Sequence, residues 1–134
     1  MVRFFPVKSP RDLPEAFQQM LAWRAAAALW LSGQANAFQP GTIELALKHH
    51  RLPVMVTQRS DVDAGGLISY FPDYADLFRR AAMYVDRILK GAKPGELPIE
   101  QPTKFELAIN LRTARTLGVM VPPAMLLQAD RVVE

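Results

Sequence analysis

In the first part of the chain, apolar runs typical of strands alternate with segments whose apolar residues have helical spacing. Residues 2–7 are rich in β-branched and aromatic side chains and predict a strand, and the continuous apolar run 25–31 predicts a buried parallel strand. Between them, Ser9 and Pro10 indicate a helix start, with Ser at the N-cap and Pro at the first helical position. One face of that predicted helix carries Leu13, Phe17, Met20, Leu21 and Arg24.

The same alternation continues to residue 57. A polar loop at 34–41 leads into a short predicted helix, and Pro53 then precedes a buried strand at 54–57. The helical spacing is that of Ile43, Ala46, Leu47 and His50. The resulting order β-α-β-α-β predicts a parallel sheet with right-handed crossovers.

One long amphipathic helix dominates the next part of the chain. The pair Gly65 and Gly66 predicts a tight turn before a short strand at 67–69. The helix is predicted over residues 72–90 and ends before Gly91, a residue suited to a helix C-terminus. Its apolar face consists of Tyr74, Leu77, Phe78, Ala81, Val85, Ile88 and Leu89.

The C-terminal part of the sequence predicts a strand followed by two short helices. The strand covers 105–109, Asn110 is placed to cap a helix at 111–117, and a last helix extends toward Ala129. A chain of 134 residues with half of them apolar is sized for one hydrophobic core. We therefore expect a single α/β domain over residues 1–134.

Composition and charge exclude several classes of protein. The chain has no cysteine, which excludes disulfides, thiolate zinc sites and thiol nucleophiles. Its net charge of +3 comes from scattered Lys and Arg, whereas nucleic-acid binding needs basic residues clustered on one face. The apolar run 25–31 is too short to span a bilayer, and no export signal follows Met1. We expect no nucleic-acid partner and no membrane span.

No catalytic arrangement is visible in the sequence. Ser9 and Ser60 have no His partner in a motif, and the pair at 65–66 lacks the third glycine of a dinucleotide fingerprint. His49 and His50 suit the C-terminus of a helix, and no further ligands nearby complete a metal site. We therefore expect a protein that is not an enzyme, with no catalytic residues, no metal and no cofactor.

Several segments resemble one protein family. Four of them are, in order, GGLISY, PDYADLFRRAAMYVDRILKGAKP, LPIEQPTKFELAINL and LGVMVPPAMLLQAD. In this order they resemble the C-terminal portion of ABC transporter substrate-binding proteins, the group that includes binders of aromatic amino acids. Residues 7–13 and 49–54 are similar to the second lobe of the same family.

The resemblance implies a fold and a mode of action. Members adopt the type I periplasmic-binding fold, in which two α/β lobes close on a small ligand across a hinge. This chain would be one Rossmann-like, parallel-sheet lobe with a long crossover helix at about 72–90 and a C-terminal strand and helices. The resemblance also implies a small-molecule solute, ABC permease subunits as partners and a periplasmic or extracytoplasmic location. If the sequence is expressed as written, without a signal peptide, we expect a cytoplasmic location.

The expected ligand site lies at the carboxyl ends of the parallel strands, where loops converge and helix N-termini point. Phe38 is a candidate to stack on a ligand ring, or to cover a local core. Arg59 and Asp61 are candidates to hold the carboxylate and the ammonium of an amino-acid-like ligand, or to form a solvated turn. The remaining candidates are Ser60, Ser69 and Tyr70.

Three interpretations of the function follow. The first is a solute-binding component of an ABC-type importer that closes a cleft on a small, amino-acid-like ligand. The second is a truncated, non-binding module whose apolar helix face at 74–89 drives self-association; that face folds back on its own sheet or forms a homodimer, and the resemblance favours the homodimer. The third is a small flavodoxin-like enzyme, which the missing phosphate-binding motif disfavours.

Overall fold

The computed structural model describes residues 1–31, 43 and 51–134. The helices in this part of the chain are α1 (Leu13–Ala22), α2 (Arg59–Asp63), α3 (Tyr74–Leu89), α4 (Leu111–Leu117) and α5 (Pro123–Gln128). Single 3-10 turns lie at Pro10–Asp12 and Pro94–Glu96. The strands are β1 (Ala28–Leu29), β2 (Val54–Val56), β3 (Ile68–Pro72), β4 (Phe105–Asn110) and β5 (Arg131–Val133).

These strands form one sheet in the order β1-β2-β3-β4-β5. β1 runs parallel to β2, β2 parallel to β3, and β4 parallel to β5. Because helices alternate with the strands and these three pairs are parallel, the chain has the α/β class predicted from its alternating pattern. The predicted fold class is therefore confirmed.

The hydrophobic core lies between the sheet and α1. In α1, Leu13 and Phe17 of the predicted apolar face are buried, and so is Ala16, which the spacing did not include; Leu21 of that face is 39% exposed. In β2, Val54 and Val56 point to the same face of the sheet and are buried, whereas Met55 on the other face is half-buried. The cluster consists of Leu13, Phe17, Leu52, Val54, Val56, Val62 and Ala108.

Two of the predicted strands differ from the structure. Residues 2–7 form no strand, although β-branched and aromatic residues are abundant there, because strand formation also needs a neighbouring strand for hydrogen bonding and the sheet order ends at β1. The predicted buried strand at 25–31 is reduced to Ala28–Leu29. Leu29 and Leu31 are 59% and 63% exposed, because β1 is an edge of the sheet among the described strands.

Two further elements depart from the prediction. The residues after β2, predicted as a loop, form the short helix α2. This helix buries only one apolar residue, Val62, so its sequence shows no helical spacing of apolar positions. β5 was not predicted, and it pairs with β4 in the register Ile109↔Val132. Of the predicted helix at 43–50, only Ile43 is described, and it is helical; the remainder lies outside the described residues.

The described chain divides into two compact units, residues 1–70 with 107–134 and residues 71–106. The first contains the core. The second contains α3, which begins after Asp73, whose carboxylate accepts a hydrogen bond from the Asp76 N–H at 3.1 Å. The predicted long helix at 72–90 is confirmed, with its ends moved inward to Tyr74 and Leu89.

Candidate functional site

The residues Arg59, Ser60 and Asp61 occupy the first turn of α2, immediately beyond the carboxyl end of β2. Gln58 has extended backbone angles, so the chain turns sharply from the strand into the helix at this residue. Arg59 and Ser60 are exposed and Asp61 is half-buried. The three polar groups that the sequence singled out are therefore consecutive on a helical turn instead of a loop.

The neighbouring strand β3 brings Ser69 and Tyr70 to the same edge of the sheet. In the register of the parallel pair β2 and β3, Ser69 lies opposite Val56, the last residue of β2. Tyr70 is one residue further toward the carboxyl end, and it is exposed. The carboxyl ends of β2 and β3 thus place Tyr70 and the first turn of α2 at one edge. Phe38 lies outside the described residues.

Ser69 differs from the other candidates in its burial. Its side chain has no exposed surface, and in the described parts of the chain its Oγ is the one buried side-chain oxygen or nitrogen without a hydrogen-bond partner. An unpaired buried hydroxyl is unfavourable, since it has lost its hydrogen bonds to water. Ser69 is therefore located behind the exposed edge formed by Tyr70 and α2.

The carboxylate of Asp61 is electrostatically distinct from an ordinary surface acid. Burial raises the pKa of Asp61 above its usual value, because desolvation disfavours the charged form. The ionised carboxylate is thereby less well solvated than in water. A cationic group brought close to Asp61 would favour the charged form and lower this pKa again.

The turn from α2 into β3 holds α2 close to β2. Gly65 has a φ of 118°, which glycine adopts readily and other residues rarely do. The Gly66 N–H donates to the carbonyl oxygen of Asp61 at 2.8 Å. A Cβ at Gly66 would lie 2.8 Å from Cγ2 of Val56 and 3.0 Å from that same oxygen. The tight turn that the sequence predicted at this pair is confirmed, and it fixes the position of Asp61.

A buried polar group on β4 supports α2 from its other end. Asn110 caps α4, as the sequence predicted, since its Oδ1 accepts a hydrogen bond from the Thr113 N–H at 3.0 Å. Its Nδ2 also donates to the carbonyl oxygen of Val62 at 2.8 Å. Thr113 Oγ1 donates to the carbonyl oxygen of Gly65 at 2.9 Å. Sequence analysis missed these last two bonds, because they join residues 48 positions apart.

The second unit carries an exposed apolar helix face. None of the residues of α3 is buried, and Phe78 and Leu89 are 75% and 82% exposed. One flank of the same helix, which includes the apolar residues Leu77, Ala81 and Ile88, and the segment 94–101 enclose a shallow groove of about 390 Å³. There, the Tyr84 hydroxyl donates to the carbonyl oxygen of Pro98 at 2.6 Å, and the Arg80 guanidinium contacts Glu100 at 3.2 Å. These polar groups hold the returning segment against α3.

No group of three or more His, Asp or Glu side chains in the described part of the chain is arranged to hold a metal ion. The described helices also include none with the length and apolar character of a membrane span.

Two solved structures are similar to this chain. One is an ABC domain in complex with L-Trp from Streptococcus pneumonia, with 25% sequence identity and a TM-score of 0.86. The other is a conserved domain protein from Vibrio cholerae, with 27% identity and a TM-score of 0.80. The match covers 99% and 94% of this chain but only 45% and 42% of those two chains. This chain thus spans less than half of the length of either protein.

The sequence as a whole was also compared with families and with curated proteins. No curated protein gave a match. A family model described as ABC transporter substrate binding protein matches residues 2–133, nearly the entire chain. That family consists of binding proteins, not enzymes, which agrees with the prediction that this chain is not an enzyme. This chain therefore belongs to the ABC transporter substrate-binding protein family.

Proposed function

We propose that this chain is a solute-binding lobe of an ABC-type importer and that it contributes one wall of a ligand cleft. The observation that carries the proposal is that the first turn of α2 and the exposed Tyr70 both follow the register pair Val56 and Ser69, toward the carboxyl ends of β2 and β3. In open parallel sheets this edge is where ligands bind. The similar pneumococcal structure contains L-Trp, which supports an amino-acid-like solute.

The chemistry of this edge suits a zwitterion. Arg59 offers a guanidinium that can hold a carboxylate through two parallel hydrogen bonds. The pKa of Asp61 is raised because burial desolvates its carboxylate. An ammonium group nearby would therefore stabilise the ionised form of this carboxylate. The Ser60 hydroxyl completes the polar turn, and Tyr70 and Phe38 supply aromatic surface for the solute side chain.

Ser69 has an indirect part in this proposal. Because its side chain is fully buried, contact with the solute requires the strand end to open during cleft closure. Such a movement would give the unpaired Oγ of Ser69 a hydrogen-bond partner. The hydroxyl would then favour the ligand-bound, closed form.

The family assignment supports the proposed importer setting. Substrate-binding proteins deliver solutes to ABC permease subunits outside the cytoplasm, and we extend both the permease partner and the extracytoplasmic location to the protein that contains this lobe. Cleft closure also requires a second wall. Since the similar solved proteins are more than twice the length of the matched part, a further lobe is the natural source of that wall.

Isothermal titration calorimetry of the full chain tests the proposal with a panel of amino acids that includes L-tryptophan. Each charge-assisted hydrogen bond contributes roughly 1.5–3 kcal/mol, so Arg59→Ala and Asp61→Ala should each weaken binding about tenfold or more. Arg115→Ala and Asp86→Ala, which change exposed residues of α4 and α3, are the matched controls. Affinity that is unchanged in both site variants would contradict the proposal.

A second candidate function is self-association through α3. It is favoured by the exposed apolar face, because full burial of each large side chain contributes about 1.5–3 kcal/mol and a two-fold dimer is the commonest closed assembly. The residues that would form the interface are Tyr74, Phe78, Val85, Ile88 and Leu89. In this alternative, the chain acts as an interaction module and binds no solute.

A further inference from the structure

One ion pair connects the strand β5 with the helix α2. Arg131 is the first residue of β5, and its guanidinium donates to Oδ1 of Asp63 from Nε at 3.1 Å and from Nη2 at 2.8 Å. Asp63 is the last residue of α2, and both side chains are partly exposed. The pair joins residues 68 positions apart, so it links two elements that are distant in the sequence.

The strand that carries Arg131 is itself firmly held. β5 pairs with β4 in parallel, and Arg131 lies opposite Ala108, which belongs to the hydrophobic core. Val133, two residues further along β5, packs against the same core. In α4, Nε of Arg112 donates to the carbonyl oxygen of Glu134, just beyond the end of β5. Arg131 thus extends from a fixed strand toward α2.

The helix α2 depends on contacts with the rest of the chain. It has only five residues, and an isolated helix of that length is unstable in water. The N–H of Ala64 donates to the carbonyl oxygen of Ser60 at 3.0 Å, so the first turn of α2 is bonded directly to the end of the helix. A contact that holds Asp63 therefore also restrains the turn that contains Arg59, Ser60 and Asp61.

The contact from Arg131 differs in kind from the neighbouring ones. Asn110 donates to the carbonyl oxygen of Val62, which is a main-chain contact. Thr113 likewise donates to a main-chain oxygen, that of Gly65. Arg131 instead binds a charged side chain at the surface, and such a pair contributes only a small part of the stability of a domain. Its loss should leave the chain folded, so a change in solute binding would report on α2.

We propose that Arg131 is a positioning residue for the carboxyl edge of β2 and β3. Through its ion pair with Asp63, it keeps the first turn of α2 ordered beside that edge. Because the frayed and formed states of a short helix are close in free energy, loss of the pair lowers the fraction of chains that can bind the solute. The inference deepens the proposed function and rests on it for the solute.

Amide hydrogen exchange on the full chain tests the positioning role without any solute. The Ala64 amide reports on α2, because its hydrogen bond to Ser60 must break before exchange. We expect Arg131→Ala to speed this exchange about two- to fivefold, the effect of losing one surface ion pair, and high salt to reduce the difference. The matched control is Arg115→Ala, which removes an exposed arginine of α4 and should leave the exchange unchanged.

Variants of both partners separate the ion pair from other effects of Arg131. Asp63→Ala, Arg131→Ala and the double variant should have the same Ala64 exchange rate, because each removes the same contact. Arg131→Lys keeps the charge and should exchange within about twofold of the original chain. Additive effects of the two alanine substitutions, or unchanged exchange in Arg131→Ala, would overturn the proposal.

Calorimetry with L-tryptophan tests the link between Arg131 and solute binding. Arg131→Ala should weaken binding about two- to fivefold, whereas Arg115→Ala should bind as the original chain does. Equal affinity of the original chain and Arg131→Ala would overturn the proposal. An original chain that binds no solute would contradict the proposed function instead, and the exchange rates of Ala64 would then decide by themselves whether Arg131 positions α2.

Discussion

Asn110 and Val62 are joined by a buried hydrogen bond that links the end of β4 to α2. Asn110 Nδ2 donates to the Val62 carbonyl oxygen at 2.8 Å, and Asn110 Oδ1 simultaneously caps α4 through Thr113. Asn110 is 3% exposed and Val62 has no exposed surface. Since Val62 belongs to α2, this bond restrains the helix whose first turn carries Arg59 and Asp61.

Loss of the Asn110 side chain should destabilise the fold considerably. Asn110→Ala removes a helix cap and leaves the buried Val62 carbonyl without its partner, which together predict a loss of about 2–4 kcal/mol in the free energy of unfolding. Urea unfolding measures this change. The control Thr116→Ala removes an exposed hydroxyl of α4 and should change stability by less than about 0.5 kcal/mol. Equal effects of the two substitutions would show that the bond to Val62 contributes little.

A side chain at Gly66 should be poorly tolerated. Gly66→Ala places a Cβ within 2.8 Å of Val56 and 3.0 Å of the Asp61 carbonyl oxygen, so we expect overpacking to lower stability by about 1–3 kcal/mol. The matched control is Gly95→Ala, where an added Cβ meets nothing within 4 Å. Thermal or urea unfolding compares the two variants. A Gly66 variant as stable as the Gly95 variant would contradict the close approach of α2 to β2.

These elements show where the sequence was informative. Three features follow from local sequence alone, and all three are confirmed. They are the amphipathic helix α3, the cap at Asn110 and the turn at Gly65 and Gly66. The bond from Asn110 to Val62 joins distant residues, so no local pattern reports it. Residues 2–7 have strand composition but pair with none of the described strands, since pairing depends on the arrangement of the whole sheet. The roles of Arg59 and Asp61 remain predictions.

The stability of the fold should depend on pH through Asp61. Burial raises its pKa in the folded state, so the folded protein holds this proton more tightly than the unfolded chain does. The stabilisation is therefore present at low pH and is lost as the pH rises through the raised pKa. Relative to Asp61→Asn, the original chain should gain stability as the pH falls toward the ordinary aspartate pKa of about 3.9. Unfolding curves at several pH values measure this difference, and the opposite trend would exclude a desolvated carboxylate.

The second candidate function predicts that the exposed face of α3 produces a dimer in solution. Sedimentation velocity at micromolar concentration should detect it, and Phe78→Asp or Leu89→Asp should weaken association at least tenfold, since each removes a large apolar contact. Gln128→Asp, which changes the exposed last residue of α5, controls for the added charge. A monomer that neither substitution affects would indicate that this face serves another partner.

The most direct test of the central claim locates the solute on the chain. In a nuclear magnetic resonance titration of the full, isotope-labelled chain with L-tryptophan, the account predicts the largest amide shifts at residues 58–62 and at Tyr70, at the carboxyl edge of β2 and β3. Arg59→Ala should remove most of these shifts, and Arg115→Ala should leave them in place. Shifts confined to the groove between α3 and residues 94–101, or the same shifts in both variants, would contradict a solute site at this edge.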